Sequence, residues 1–185
     1  MPRIAPLEPP YEADVEQALA PMMPPGVPPI LLFRTFANNL PMTTAMQTWG
    51  SYELSRNLSL SMRDREILID RTCARCDCEY EWGVHVTFFA DHVGLTQEQN
   101  ASLVRGGPAD PCWDSNRDRL LIQAADELHE TSTLSDALWG ELSKEFAEAE
   151  LLDLMLLCGW YHAISYVGNA AKVDREAGSP RFTDY

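Results

Sequence analysis

Cys78, Glu81 and His85 stand at i, i+3 and i+7 in the stretch Cys78-Glu-Tyr-Glu81-Trp-Gly-Val-His85. On a helix that spacing stacks a thiol, a carboxylate and an imidazole on one face. The three groups supply a nucleophile, an acid or base, and a proton carrier. Glu81 and His85 meet on one turn, and such a pair moves protons near neutrality because the imidazole titrates there and the carboxylate orients it. The competing reading is an exposed ion pair, but Trp82, Val86, Phe88 and Phe89 make this helix largely apolar and argue for burial. Tyr80 either offers a phenolic donor to the site or packs.

The state of Cys78 is balanced between opposing effects. At a helix start, unpaired backbone N–H groups and the dipole favour a thiolate. Asp77, Glu79 and Glu81 disfavour it, while Arg75 or a protonated His85 offsets them. A reactive thiol and a buried inert one are equally compatible with these residues. Glu66 precedes Cys78 by twelve positions, so in an antiparallel hairpin it falls nearer His85 than Cys78. Taken alone, Met62-Arg-Asp-Arg-Glu66 reads as a solvated first turn.

Cys73-Ala-Arg-Cys76 is a CxxC without the second Cys/His pair that a structural zinc site needs. Packing on the inner face of their helix is the expectation for Cys73 and Cys76, with exchange toward Cys78 as the alternative. His92, His129 and His162 lack partners at metal-ligand spacing, so neither a metal nor a cofactor is expected. Trp160, Tyr161, His162 and Tyr166 are expected to pack on a buried C-terminal helix that is a candidate wall of the pocket.

The elements that position these residues are helices. Helical spacing dominates from Ile30 onward and no run alternates as a strand does. The expected helices cover about 30–38, 42–56, 61–76, 78–93, 96–105, 114–130, 135–146 and 148–171, with Asp77 capping the one that carries the chemistry and Gly94 ending it. Residues 1–30 are Pro-rich around one short helix at Tyr11–Leu19, and are expected either to lie over the body or over a neighbouring subunit or, equally, to form a partly mobile tail. An all-α, single-domain bundle follows, divided as 1–40 (the arm and first helices) and 41–178 (the helical domain).

A chain of 185 residues, 45% of them hydrophobic, is long enough for one sizeable core. Its net charge of −14, from 28 acidic and 14 basic residues, argues against nucleic acid and anionic membranes as partners. No uninterrupted apolar run approaches the ~18–20 residues that span a bilayer, and the N-terminus lacks a signal-peptide core. Five cysteines, three of them bunched, suit a reducing compartment. The expected location is cytoplasmic.

The segment from Arg63 to Arg105 resembles the carboxymuconolactone decarboxylase superfamily, which includes the alkyl hydroperoxidase D-like (AhpD-like) proteins. The resemblance rests on Glu66, eleven intervening residues, Cys78, position 81 and His85, followed by Ala90-Asp-His-Val-Gly94-Leu-Thr and the Gln-Glu-Gln helix. It implies an AhpD-like helical bundle assembling as a trimer, hexamer or dimer. It also implies an antioxidant oxidoreductase with peroxidase, peroxiredoxin-type activity through Cys78, a Glu66/His85 proton relay, Cys76 or Cys73 as resolving thiol, and a thiol reductant protein as partner. The hydroperoxidase pattern has a second cysteine where this chain has Glu81, so that cycle does not run unchanged. The decarboxylase branch instead resembles the Glu81/His85 half of the site, implying a lyase or isomerase acting on a small lactone or carboxylic acid. A noncatalytic oligomeric accessory protein is the third expectation.

Overall fold

Hydroxyl side chains set where most of the central helices begin. In the computed structural model, which describes residues 1–185, Ser61, Ser115 and Ser135 each accept the backbone N–H three residues on, and so start α4 (Met62–Arg75), α7 (Asn116–Thr131) and α8 (Asp136–Glu145). Thr96 and Gln99 form a reciprocal capping box at α6 (Gln97–Arg105). The remaining helices are α1 (Ala13–Leu19), α2 (Leu31–Phe36), α3 (Leu40–Glu53), α5 (Glu79–Val93) and α9 (Glu148–Ala171). Nine helices and two short 3-10 turns make up the regular structure, with no strand.

The link between α4 and α5 differs from the expected cap. Asp77 adopts the left-handed conformation (φ 52°), and Cys78 is the residue preceding α5. The Cys78 N–H bonds to Cys73 O (2.9 Å) and the Asp77 N–H to Ala74 O (3.0 Å). This is a Schellman closure of α4, a position that Asp tolerates better than most residues. Asp77 therefore ends one helix rather than starting the next. The tight reversal brings the two helices into an antiparallel hairpin.

Helix α4 is the axle of the bundle, packed against α5, α6, α7 and α9. Every residue from Asp64 to Cys73 is buried, including charged ones, which survive there because partners replace water. Arg71 grips Asp126 through two bonds of 2.7 and 2.8 Å and also donates to Leu103 O. Asp64 receives Arg117. The solvated first turn expected at Arg63–Glu66 is thus mostly interior, because α9 and the α5 hairpin close over it.

Helix α9 has 24 residues, and an 18-residue stretch of it with a mean hydropathy of 1.2 makes it long and apolar enough by composition to cross a membrane. That span differs from the expectation of no such segment, since Asp153 and scattered small residues interrupt its apolar runs. More than half of that stretch, 56%, is buried inside the protein, which is how the core helix of a bundle reads.

Both ends of the chain strap this body. The Arg3 N–H bonds to Ala171 O (2.7 Å) and the Leu7 N–H to Arg34 O (3.1 Å), while Val15 and Leu19 bury against Ala37. The Pro-rich arm thus lies over its own chain. At the other end, Phe182 packs on Trp82 at a tilt (5.1 Å between centroids) and Tyr185 meets it edge-on (5.2 Å). The tail passes so close to α5 that a Cβ on Gly83 would stand 3.0 Å from Pro180 O.

Candidate functional site

His85 lies between two carboxylates contributed by the α4–α5 hairpin. Glu66 Oε2 is 2.8 Å from His85 Nδ1, and Glu66 Oε1 accepts from Arg65 Nε at 2.7 Å. On the other side, His85 Nε2 stands 3.6 Å from Glu81 Oε1, an ion-pair rather than a hydrogen-bond distance. All four side chains are buried. Burial pulls the imidazole pKa down, but Glu66 and then Glu81 more than reverse it, raising it to about 10. At neutral pH His85 is an imidazolium. Its ring is held edge-on by Tyr161 (5.1 Å between centroids) and lies against Phe89 (5.3 Å), over which Arg65 also stacks.

A second layer lies behind this pair. Asp70 is buried with Oδ1 unpartnered. Burial, then repulsion from Glu66, hold its carboxyl well above the usual range, with His85 acting the other way. Burial and Glu66 both favour its protonated form.

Glu81 and His85 open onto a cavity of about 570 Å³, within the usual size range of small-molecule sites. Phe33, Phe36, Phe88, Phe89, Trp160 and Tyr161 give it an aromatic lining, and Met22 and Pro24 of the arm form one wall. Its polar groups are few. Glu81 Oε2 is buried with no hydrogen-bond partner, an unsatisfied acceptor on a residue that borders a largely apolar space.

The expected residues are only partly brought together. Glu66, Glu81 and His85 form one constellation. Cys78 is adjacent but does not line the cavity. It is fully buried against Gly168, and burial pushes its thiol up to about 11, against the lowering influence of the Glu81 N–H and the Ser165 hydroxyl. Cys73 is also fully buried and raised for the same reason, whereas Cys76 is half-buried and faces α7, 3.8 Å from His129 Nδ1. No disulfide joins them. Tyr80 lies outside the cavity: its hydroxyl donates to Glu176 (2.7 Å) and accepts the Leu32 N–H (2.9 Å), tying the C-terminal tail to α2.

Tyr161 and Trp160 line the cavity, on the C-terminal helix expected as a candidate wall. Arg65 and Asp70 are not among the expected site residues. Only Arg65, next to Glu66 in sequence, carries any signal, and Asp70 arrives through helix packing, which no spacing rule encodes.

This arrangement of helices defines an AhpD-like fold. No protein-family model matches the sequence, and no curated protein matches it. The chain is similar in structure to an uncharacterized peroxidase-related protein from Silicibacter sp. TM1040, with a TM-score of 0.80 at 16% identity over 97% of this chain and 96% of that one. It is also similar to the debrominase Bmp8 in complex with 2,3,4-tribromopyrrole, with a TM-score of 0.66 at 12% identity over 94% of this chain and 91% of that one. At these identities the likeness establishes the fold, while chemistry rests on the residues themselves.

Proposed function

We propose that this protein is an enzyme of the AhpD-like fold that moves protons on a small, ring-sized, mostly apolar molecule carrying a hydroxyl, ring N–H or acidic C–H. The observation that carries this reading is that the cavity holds Glu81 and the imidazolium of His85, but not the thiol of Cys78. Glu81 accepts the substrate proton at its unpartnered oxygen while His85 Nε2 delivers one to the atom that gains electron density. The result is a tautomerisation or, where a carboxylate is the leaving group, a lyase reaction. Glu66, itself held by Arg65, keeps the imidazolium in place through Nδ1, and the proton that Glu81 has taken passes back to Nε2, 3.6 Å away, to close the cycle. That the debrominase binds a small heteroaromatic ring on a similar fold supports a ligand of this size.

A second reading keeps redox chemistry. It is supported by the likeness to a peroxidase-related protein and by the position of Cys78 one helical turn from Glu81. There the Cys78 thiolate attacks a hydroperoxide, releasing an alcohol and leaving a sulfenic acid. A second thiol then forms a disulfide with loss of water. Its weakness is the buried, high-pKa thiol.

The two readings separate in one experiment. The protein is incubated in D2O with a panel of phenols, pyrroles, lactones and keto acids, and separately with hydrogen peroxide and tert-butyl hydroperoxide. Deuterium incorporation that disappears in Glu81→Gln and persists in Cys78→Ser supports proton transfer. Stoichiometric oxidation of Cys78 with turnover lost in Cys78→Ser, and no exchange in any variant, overturns it in favour of the thiol.

We also propose a homo-oligomer. Leu152, Leu156, Gly159, Ala163, Tyr166 and Ala170 are all exposed on α9 and recur at alternating steps of four and three, the spacing of a helix–helix seam. Light scattering on the purified protein should give a multiple of the 20.8 kDa chain, and Leu156→Glu should reduce it to one; a monomeric wild type overturns the assignment.

A further inference from the structure

Three side chains that no sequence spacing connects converge at the far end of α4. Cys76 closes α4, His129 lies in the last turn of α7, and His162 sits midway along α9. Cys76 Sγ is 3.8 Å from His129 Nδ1, and His129 Nδ1 is 3.0 Å from His162 Nε2. All three ligand atoms lie within 4.8 Å of one another. The expectation that these histidines lack partners fails because the partners come from different helices.

We propose that Cys76, His129 and His162 form a Zn²⁺ site, separate from the Glu81–His85 cavity. Around a tetrahedral zinc with ordinary bond lengths, nitrogen–nitrogen edges are about 3.3 Å and nitrogen–sulfur edges about 3.6 Å. Two of the three edges already match within a few tenths of an ångström, and a small movement of a half-buried side chain brings in the third. The supporting shell is of the kind that metal-binding histidines use. His162 Nδ1 lies 2.8 Å from Cys158 O, so it carries the hydrogen and leaves the Nε2 lone pair aimed at the site. Asn169 Nδ2 donates to Cys76 O at 2.8 Å and pins the helix end that carries the thiol. The nearest cation, Arg75, is held by Asp126 (3.5 Å) and Glu130 (2.6 Å). One thiolate and two neutral imidazoles suit a borderline-soft divalent ion better than magnesium or calcium, which take oxygen ligands. All three residues are half-buried, which leaves a fourth position for water or a small anion. A Cys76 thiolate committed to zinc is also unavailable to resolve an oxidised Cys78.

Cobalt(II) titration of chelator-treated full-length protein tests this, with zinc added afterwards as competitor. The expected result is one ion per chain, with a sulfur-to-cobalt charge-transfer band and tetrahedral visible bands that zinc displaces, plus a raised Tm in the presence of zinc. Cys76→Ser should abolish the charge-transfer band. His129→Gln and His162→Gln should weaken binding by about 100-fold or more, whereas His92→Gln should leave it unchanged. Circular dichroism of each unloaded variant checks folding, and the two histidine variants carry the test if Cys76→Ser does not fold. Absence of the band in the wild type, or equal affinity in the folded variants, overturns the site.

Discussion

Glu66 places one carboxylate oxygen on His85 Nδ1 at 2.8 Å and the other on Arg65, so a single buried anion holds two cations. Replacing it by glutamine leaves Arg65 in the core without this counter-charge and His85 with only Glu81, 3.6 Å away. Glu66→Gln should lower stability by about 3–5 kcal/mol, the usual result of breaking a buried pair from one side. It should also bring the His85 pKa down from about 10, as burial becomes the dominant influence. Urea denaturation and the ring-nitrogen chemical shifts of His85 measure the two effects. An imidazole still protonated at pH 9 in the variant would show that Glu66 is not its counter-ion.

The same raised pKa fixes the sign of a pH dependence. His85 binds its proton more tightly when folded, so its contribution to stability is complete below the unfolded value near 6.5. That contribution declines as pH rises and is gone above the folded value of about 10. The midpoint of urea unfolding should therefore fall between about pH 7 and pH 10, and the fall should be smaller in His85→Gln. Under the proton-transfer reading, activity should also have an alkaline limb near pH 10, because His85 must be charged to donate. A flat stability profile across that interval in the wild type would contradict the ion pair.

Glu81 presents the opposite case, a buried oxygen with no partner inside the protein. Glu81→Gln keeps the shape and removes the base. Stability should change by less than about 1 kcal/mol, since the lost attraction at 3.6 Å to His85 is offset by the removal of an incompletely satisfied buried charge. Turnover in the deuterium-exchange assay should fall by about 100- to 10,000-fold, the usual contribution of a positioned acid or base. Unfolding midpoints and exchange rates on the same preparation separate the two. A variant with unchanged exchange removes Glu81 from the chemistry.

The parts legible in the sequence are those set by local periodicity. The i, i+4 relation placed Glu81 and His85 on one turn, and the hairpin argument put Glu66 nearer His85 than Cys78. Ser61, Gly94 and the apolar run of α9 announced the helices that carry them. What stayed hidden depends on long-range packing. Arg65 and Glu66 look like solvated charges until α9 covers α4. His129 and His162 are 33 positions apart in the chain and meet only because α7 and α9 both pack on α4. Cys78 satisfies the spacing of its motif, yet the Schellman turn at Asp77 directs it away from the cavity and toward Gly168.

That last contact gives a test of how tightly Cys78 is held. A Cβ on Gly168 would stand 3.2 Å from Cys78 Sγ, closer than ordinary packing allows. Cys78 has little room to yield, because its N–H is fixed to Cys73 O and its side chain is fully buried. Alanine within α9 gains about 1 kcal/mol of helix propensity over glycine, while crowding in a packed core costs about 1–3 kcal/mol. Gly168→Ala should therefore be destabilising by up to about 2 kcal/mol. In a Cys78→Ala background the obstructing sulfur is gone, and the same substitution should become neutral or stabilising. The double-mutant cycle should show a coupling of about 1–3 kcal/mol. Additive effects would mean that the thiol moves freely, which would make Cys78 far more accessible to a peroxide than its burial implies.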